Sequence, residues 1–96
     1  MNSYESMLVF NPELSESELN EENEKIHKLI QSLGGEILKT DIWGKRTLAY
    51  EIKKKREGYY LINYFRLDPK NINELENQYK LNENLLRYNI LSFNEE

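Results

Sequence analysis

The sequence predicts an α+β domain: a four-stranded antiparallel sheet carrying two helices on one of its faces. Three observations predict it. Four segments are alternating or apolar in the manner of strands, two segments repeat apolar residues at helical spacing behind N-cap residues, and their order is βαββαβ. A chain of 96 residues supports one hydrophobic core, so residues 1–96 read as a single domain. The favoured closure interlocks two βαβ halves into the ferredoxin-like arrangement, with the first strand lying between the third and the fourth.

Tyr4 to Phe10 places Tyr4, Ser6, Leu8 and Phe10 on one face and Glu5, Met7 and Val9 on the other. Both faces are partly apolar, which suits a central strand, and Asn11-Pro12 stops it. Ser15 is an N-cap with Glu18 in the capping-box position and Leu14 and Leu19 placed as a hydrophobic staple, so a helix is predicted over about Glu16 to Leu33. It buries Leu19, Ile26, Leu29, Ile30 and Leu33, and Gly34-Gly35 supplies left-handed conformations at its end. Glu36 to Ile52 is extended, but Leu48, Tyr50 and Ile52 have the opposite parity to Ile37. A β-bulge at or near Gly44 would bring them to one face.

After a connection over Lys53 to Glu57, Gly58 opens a third strand through Leu67. Tyr59, Leu61, Asn63 and Phe65 lie on one side of it, and Tyr60, Ile62, Tyr64 and Arg66 on the other. Asp68-Pro69 starts a second helix, to about Lys80, which buries Ile72, Leu75 and Tyr79. Leu85 to Phe93 is the last strand, with Leu86, Tyr88 and Ile90 inward. The sheet face without helices would carry Met7, Val9, Tyr60, Ile62, Tyr64 and Leu91, too apolar a set for simple solvation, so a partner surface is expected there.

Composition narrows the function classes. With 31% charged residues the surface is polar, yet apolar periodicity runs through most of the chain, which argues for a folded protein. There is no cysteine, so disulfides, thiolate metal sites and cysteine nucleophiles are excluded. No basic n-region and apolar run opens the chain, and no stretch of about 18 apolar residues follows, so a cytoplasmic protein is the expectation. His27, the one histidine, has no triad or metal spacing around it and reads as a solvated helix residue. The helical glutamates lack a calcium-loop pattern, and no phosphate-cradling glycine loop is present. Neither catalysis, nor a metal, nor a cofactor is expected.

Charge is unevenly placed. The formal net charge is −4, but six of the 13 basic residues fall between Lys45 and Arg56, where Glu51 is the one acid. Glu13, Glu16, Glu18, Glu21, Glu22 and Glu24 gather early in the chain. Lysines at loop tips also serve solubility. The pairing of Lys45 and Arg46 at the predicted bulge with Lys53, Lys54, Lys55 and Arg56 at the tip favours RNA, because phosphates could be reached from two places along one arm. Tyr60, Ile62 and Tyr64, with aliphatic neighbours and no RNP pattern, fit a protein partner better than bases. Tyr59 and Tyr50 are expected in core or hairpin packing.

The segment Gly44-Lys45-Arg46-Thr47-Leu48-Ala49-Tyr50-Glu51-Ile52-Lys53 resembles the signature of the bacterial small-subunit ribosomal protein S six family. Tyr4-Glu5, Asn11-Pro12, Gly58-Tyr59-Tyr60 and Arg87 follow in the family's order; Glu51 stands where the family often has proline. The resemblance implies a structural constituent of the small ribosomal subunit. It also implies binding to the central domain of the small-subunit rRNA together with ribosomal protein S eighteen. By the same resemblance the RNA-facing residues are Lys45, Arg46, Lys53, Lys54, Lys55, Arg56 and Arg87. A ferredoxin-like small-molecule-binding regulatory module is the alternative, against which the missing glycine-rich ligand loop counts.

Overall fold

A computed structural model describes residues 1–93, which leaves the acidic end Glu95-Glu96 outside the described residues. The elements are β1 (Asn2–Phe10), α1 (Glu16–Ser32), β2 (Glu36–Ile52), β3 (Lys55–Leu67), α2 (Ile72–Leu81, after a 3-10 turn at Pro69–Asn71) and β4 (Leu85–Phe93). They form one sheet of order β2-β3-β1-β4, with β1 antiparallel to both of its neighbours. This is the expected ferredoxin-like βαββαβ topology, and β1 is central.

The register sorts the side chains. Tyr4, Leu8 and Phe10 of β1 and Leu61, Phe65 and Leu67 of β3 share one face, where they meet Leu19, Ile26 and Ile30 of α1 and Leu75 and Tyr79 of α2. Both helices therefore cover the same face. Each fully buried Leu or Phe in this cluster contributes roughly 1.5–3 kcal/mol. Ser6 also points into the core, where its hydroxyl lies 3.0 Å from that of Tyr79; burial pushes the Tyr79 hydroxyl well above its ordinary pKa.

The local signals of α1 are realised. Ser15 Oγ accepts from the Glu18 N–H at 3.1 Å, and Glu18 Oε1 accepts from the Ser15 N–H at 2.9 Å, completing the capping box. At the other end the Gly34 and Gly35 N–H groups bond to Gln31 and Ile30 carbonyls at 3.0 and 2.9 Å. Only Gly34, at φ +86°, is left-handed. Gly35 is required for a different reason, since a Cβ there would run into the Arg66 carbonyl and the Ile30 side chain.

Strand β2 departs most from expectation. The ladder with β3 slips between Ile42 and Gly44, which is the predicted bulge, with Gly44 at φ +83°. It also slips between Ile37 and Lys39. Two one-residue slips cancel, so Ile37 packs on the helix-side core while Leu48 lies on the other face beside Gly58 and Val9. The expected single inward set of Ile37, Leu48, Tyr50 and Ile52 does not form. Leu48 is buried and Ile52 half-buried, but Tyr50 is 63% exposed.

Candidate nucleic-acid interface

The β2–β3 hairpin continues past the body of the sheet as an arm. Arg46 pairs with Gly58 and Lys45 with Tyr59, so the two cations point to opposite faces, as consecutive strand residues must. Lys45 Nζ stands 5.3 Å from the centroid of the Tyr59 ring on the helix side, whereas Arg46 is exposed on the open face. Strand alternation beyond the bulge therefore sends the two cations to different faces of the sheet.

At the tip, Ile52 pairs with Lys55, leaving Lys53 and Lys54 as a two-residue turn with φ of +50° and +66°. The expected five-residue connection is shorter because Lys55 to Glu57 already belong to β3. Positive φ at both central residues matches the strand twist, although Asn-Gly is the usual occupant. Lys55 Nζ is held by Glu13 Oε1 at 2.6 Å and Arg56 Nε by Glu51 Oε2 at 3.3 Å. Arg46, Lys53 and Lys54 make no ion pair with any described residue, so among the described residues their charge is uncompensated.

Between Thr47 and Ile52 the register shifts by several residues, and the β2 side of the arm leans across the open face. Leu48 reaches over Gly58, whose missing Cβ leaves room for Val9, and Arg87 donates to the Tyr50 hydroxyl at 3.0 Å. Arg87 belongs to β4, at the far edge of the sheet. Three strand spacings, roughly 14 Å, separate the two edges along the row Gly44, Tyr60, Val9, Arg87. The arm thus lies beside a cation contributed by the last strand, some 37 residues on from Tyr50. Beside this row lies a depression of about 200 Å³ lined by Met7, Val9, Tyr60, Arg87, Tyr88 and Asn89.

The open face is less exposed than its apolar sequence suggests. Ile62 is only 5% exposed and Tyr60 and Tyr64 are half-buried; Tyr64 meets Phe93 edge-on at 5.9 Å. Cross-strand neighbours cover one another there. Among the sheet's large apolar side chains, those most open to water belong to the two edge strands: Leu38, Ile42, Trp43 and Tyr50 on β2 and Leu91 on β4.

His27 was expected to be solvated and is not. Its Nε2 lies 3.1 Å from both Thr40 Oγ1 and Asn63 Oδ1, and 3.2 Å from Asn23 Nδ2. Asn63, fully buried in β3, accepts from Thr40 at 2.6 Å and donates to Asn23 at 2.8 Å. The group satisfies a polar side chain in the core and ties α1 to β2 and β3. Glu22 also leaves the solvated face of α1: it is buried and accepts from Asn82 at 2.8 Å. Among the described residues no His, Cys, Asp and Glu side chains are grouped to hold a metal ion, and no helix is long and apolar enough to cross a membrane.

A βαββαβ sheet whose uncompensated cations stand on a hairpin arm defines a ferredoxin-like binding domain. The family model described as Ribosomal protein S6 matches residues 3–92. Relatives called "Small ribosomal subunit protein bS6" include one from Dictyoglomus turgidum, 48% identical over 94% of this chain and 93% of its own length. Another, from Thermoanaerobacter pseudethanolicus, is 47% identical over 99% of this chain and all of its own. The crystal structure of 30S ribosomal protein S6 from Thermotoga maritima superposes with a TM-score of 0.90 at 38% identity, covering 96% of this chain and 87% of that one. The chain belongs to the ribosomal protein S six family. It is a structural, non-enzymatic component of the small ribosomal subunit, and that membership sets aside the small-molecule regulatory module.

Proposed function

We propose that this chain binds the central domain of the small-subunit rRNA jointly with ribosomal protein S eighteen. The observation that carries the reading is the set of uncompensated cations Arg46, Lys53 and Lys54 on an arm tied to Arg87. These four are the principal phosphate contacts. Lys45, Lys55 and Arg56 contribute from positions already engaged with Tyr59, Glu13 and Glu51, so their ammonium and guanidinium groups must share or exchange partners. The open face is the surface for the protein neighbour, with Tyr60 and Tyr64 as contacts and Ile62 as their buried floor.

A net charge of −4 limits how much affinity this chain supplies alone. Joint binding with a basic protein supplies the remainder, because the second contact is made at high effective concentration. The test is binding to a central-domain rRNA fragment, with and without S eighteen, across a salt series. Weak binding alone, tighter joint binding, and a salt slope equivalent to roughly three to six phosphate contacts are expected. Equal affinity for unrelated RNA, or no gain from the protein, would sink the proposal. Replacing Arg46 and Lys54 together with alanine should weaken RNA binding at nearly unchanged thermal stability.

A further inference from the structure

Trp43 is the one tryptophan of the chain, and it is 46% exposed on the edge strand β2. It is also the residue at which the β2–β3 ladder slips, between Ile42 and Gly44, so it stands outside the regular pairing. A bulge re-aims the strand that carries it. The residues just beyond are Lys45 and the uncompensated Arg46. On the other side Asp41, the nearest acid in sequence, is engaged by Lys39 Nζ at 3.4 Å.

We infer that Trp43 is a stacking platform for an unpaired RNA base, with the phosphate next to that base taken by Arg46. Two kinds of partner suit an exposed indole. A protein hot spot would use it as a buried apolar anchor, and exposed Ile42 and Leu38 nearby would join it. An apolar core of that kind offers no counter-charge to the exposed Arg46 beside it. A nucleotide satisfies both features at once, since every base offers a π-face and each carries an anionic phosphate. From Trp43 to Arg46 the strand advances at most about 10 Å, within the reach of one nucleotide and an extended arginine.

Competing aromatic rings are less available. The Tyr59 ring holds the Lys45 ammonium, Tyr60 and Tyr64 are half-buried, and the Tyr50 hydroxyl is tied to Arg87. Tyr50 is the more exposed at 63%, but its hydroxyl is tied to Arg87; Trp43 is the larger ring, three residues from Arg46, which pairs with no described acid. The inference rests on the rRNA-binding reading above and adds to it a contact with a base.

As the sole tryptophan, Trp43 reports on itself. The full chain is titrated with the central-domain rRNA fragment, with S eighteen present, while tryptophan emission and filter retention are followed in parallel; S eighteen lacking tryptophan is used. Stacking quenches the emission as the retained complex forms. Trp43→Phe keeps affinity within a few-fold, whereas Trp43→Leu, apolar but without a π-face, weakens binding by about tenfold or more. An unchanged melting temperature shows that the leucine variant is folded. Retention of RNA with unaltered emission, or wild-type affinity in Trp43→Leu, overturns the stacking contact and leaves the rRNA reading standing. An emission change brought about by S eighteen alone, with none added by RNA, assigns Trp43 to the protein interface and overturns it too. No retention of RNA at all overturns both.

Discussion

The Arg87 guanidinium donates a hydrogen bond to the Tyr50 hydroxyl at 3.0 Å, joining the hairpin arm to the strand at the opposite edge of the sheet. Both side chains are exposed, so the bond matters more for where the arm lies than for whether the protein folds. Leu48 provides the packing that sets the arm's lean, and the Tyr50–Arg87 bond fixes its direction.

Tyr50→Phe should therefore leave global stability within about 0.5 kcal/mol of wild type. Amide exchange over Leu48 to Lys54 should accelerate, because local opening of the arm becomes easier. RNA affinity should fall by up to about tenfold, the reach of one hydrogen bond worth ~0.5–1.5 kcal/mol. Wild-type exchange rates in the variant would mean that Leu48 holds the arm unaided.

The buried amide of Asn63 makes a prediction of the opposite kind. Its Oδ1 accepts from Thr40 and its Nδ2 donates to Asn23, and the residue has no surface open to solvent. Asn63→Leu should cost about 2–3 kcal/mol in urea unfolding, since Asn23, Thr40 and His27 lose partners inside the protein. RNA affinity measured well below the unfolding midpoint should not change. A loss under 0.5 kcal/mol would show that the group relaxes to other partners.

How legible each feature was follows from how local its cause is. The capping box needs only Ser15 and Glu18, three residues apart, and the central position of β1 shows in apolar residues on both its faces. The bulge at Gly44 could be read because one slip reverses parity. The second slip, after Ile37, could not, because two slips restore parity and an edge strand buries too little to mark it. The Lys53-Lys54 turn carries none of the Asn-Gly chemistry that announces a two-residue hairpin, so it read as a longer loop. Glu13 and Lys55 are 42 residues apart, and His27 is 36 from Asn63; no spacing rule connects them. Of the candidate site, the charge was visible in sequence and its compensation was not.

Acid titration should single out the α1 cap. The Ser15 backbone N–H, and then its hydroxyl, hold the Glu18 carboxyl below its ordinary 4.5. A depressed carboxyl contributes stability that is present above its unfolded pKa and lost as pH falls through the folded one. The stability difference between wild type and Glu18→Gln should thus be constant near neutrality and shrink as pH drops below 4.5. Chemical denaturation at a series of pH values checks this. A gap that stays constant into strong acid would place the effect of the substitution elsewhere than in the charge of the cap.

The turn at the arm's tip sets stability against charge. Lys53 and Lys54 occupy positive φ, a conformation that costs a residue with a Cβ roughly 1–2 kcal/mol. Neither lysine gains an ion pair among the described residues that would offset this. Lys53→Asn with Lys54→Gly supplies the residues the turn favours and should raise the melting temperature by about 4 °C or more, given ~4–8 °C per kcal/mol for a domain of this size. If the two ammonium groups meet phosphates, the same variant should flatten the salt dependence of rRNA binding by about 1.4–1.8 in log–log slope. A lower melting temperature would show that the turn is unstrained, and an unchanged slope would remove the lysines from the RNA contact. A more stable protein that binds RNA less steeply would show that the lysines stand at the tip for their charge, against the preference of the backbone.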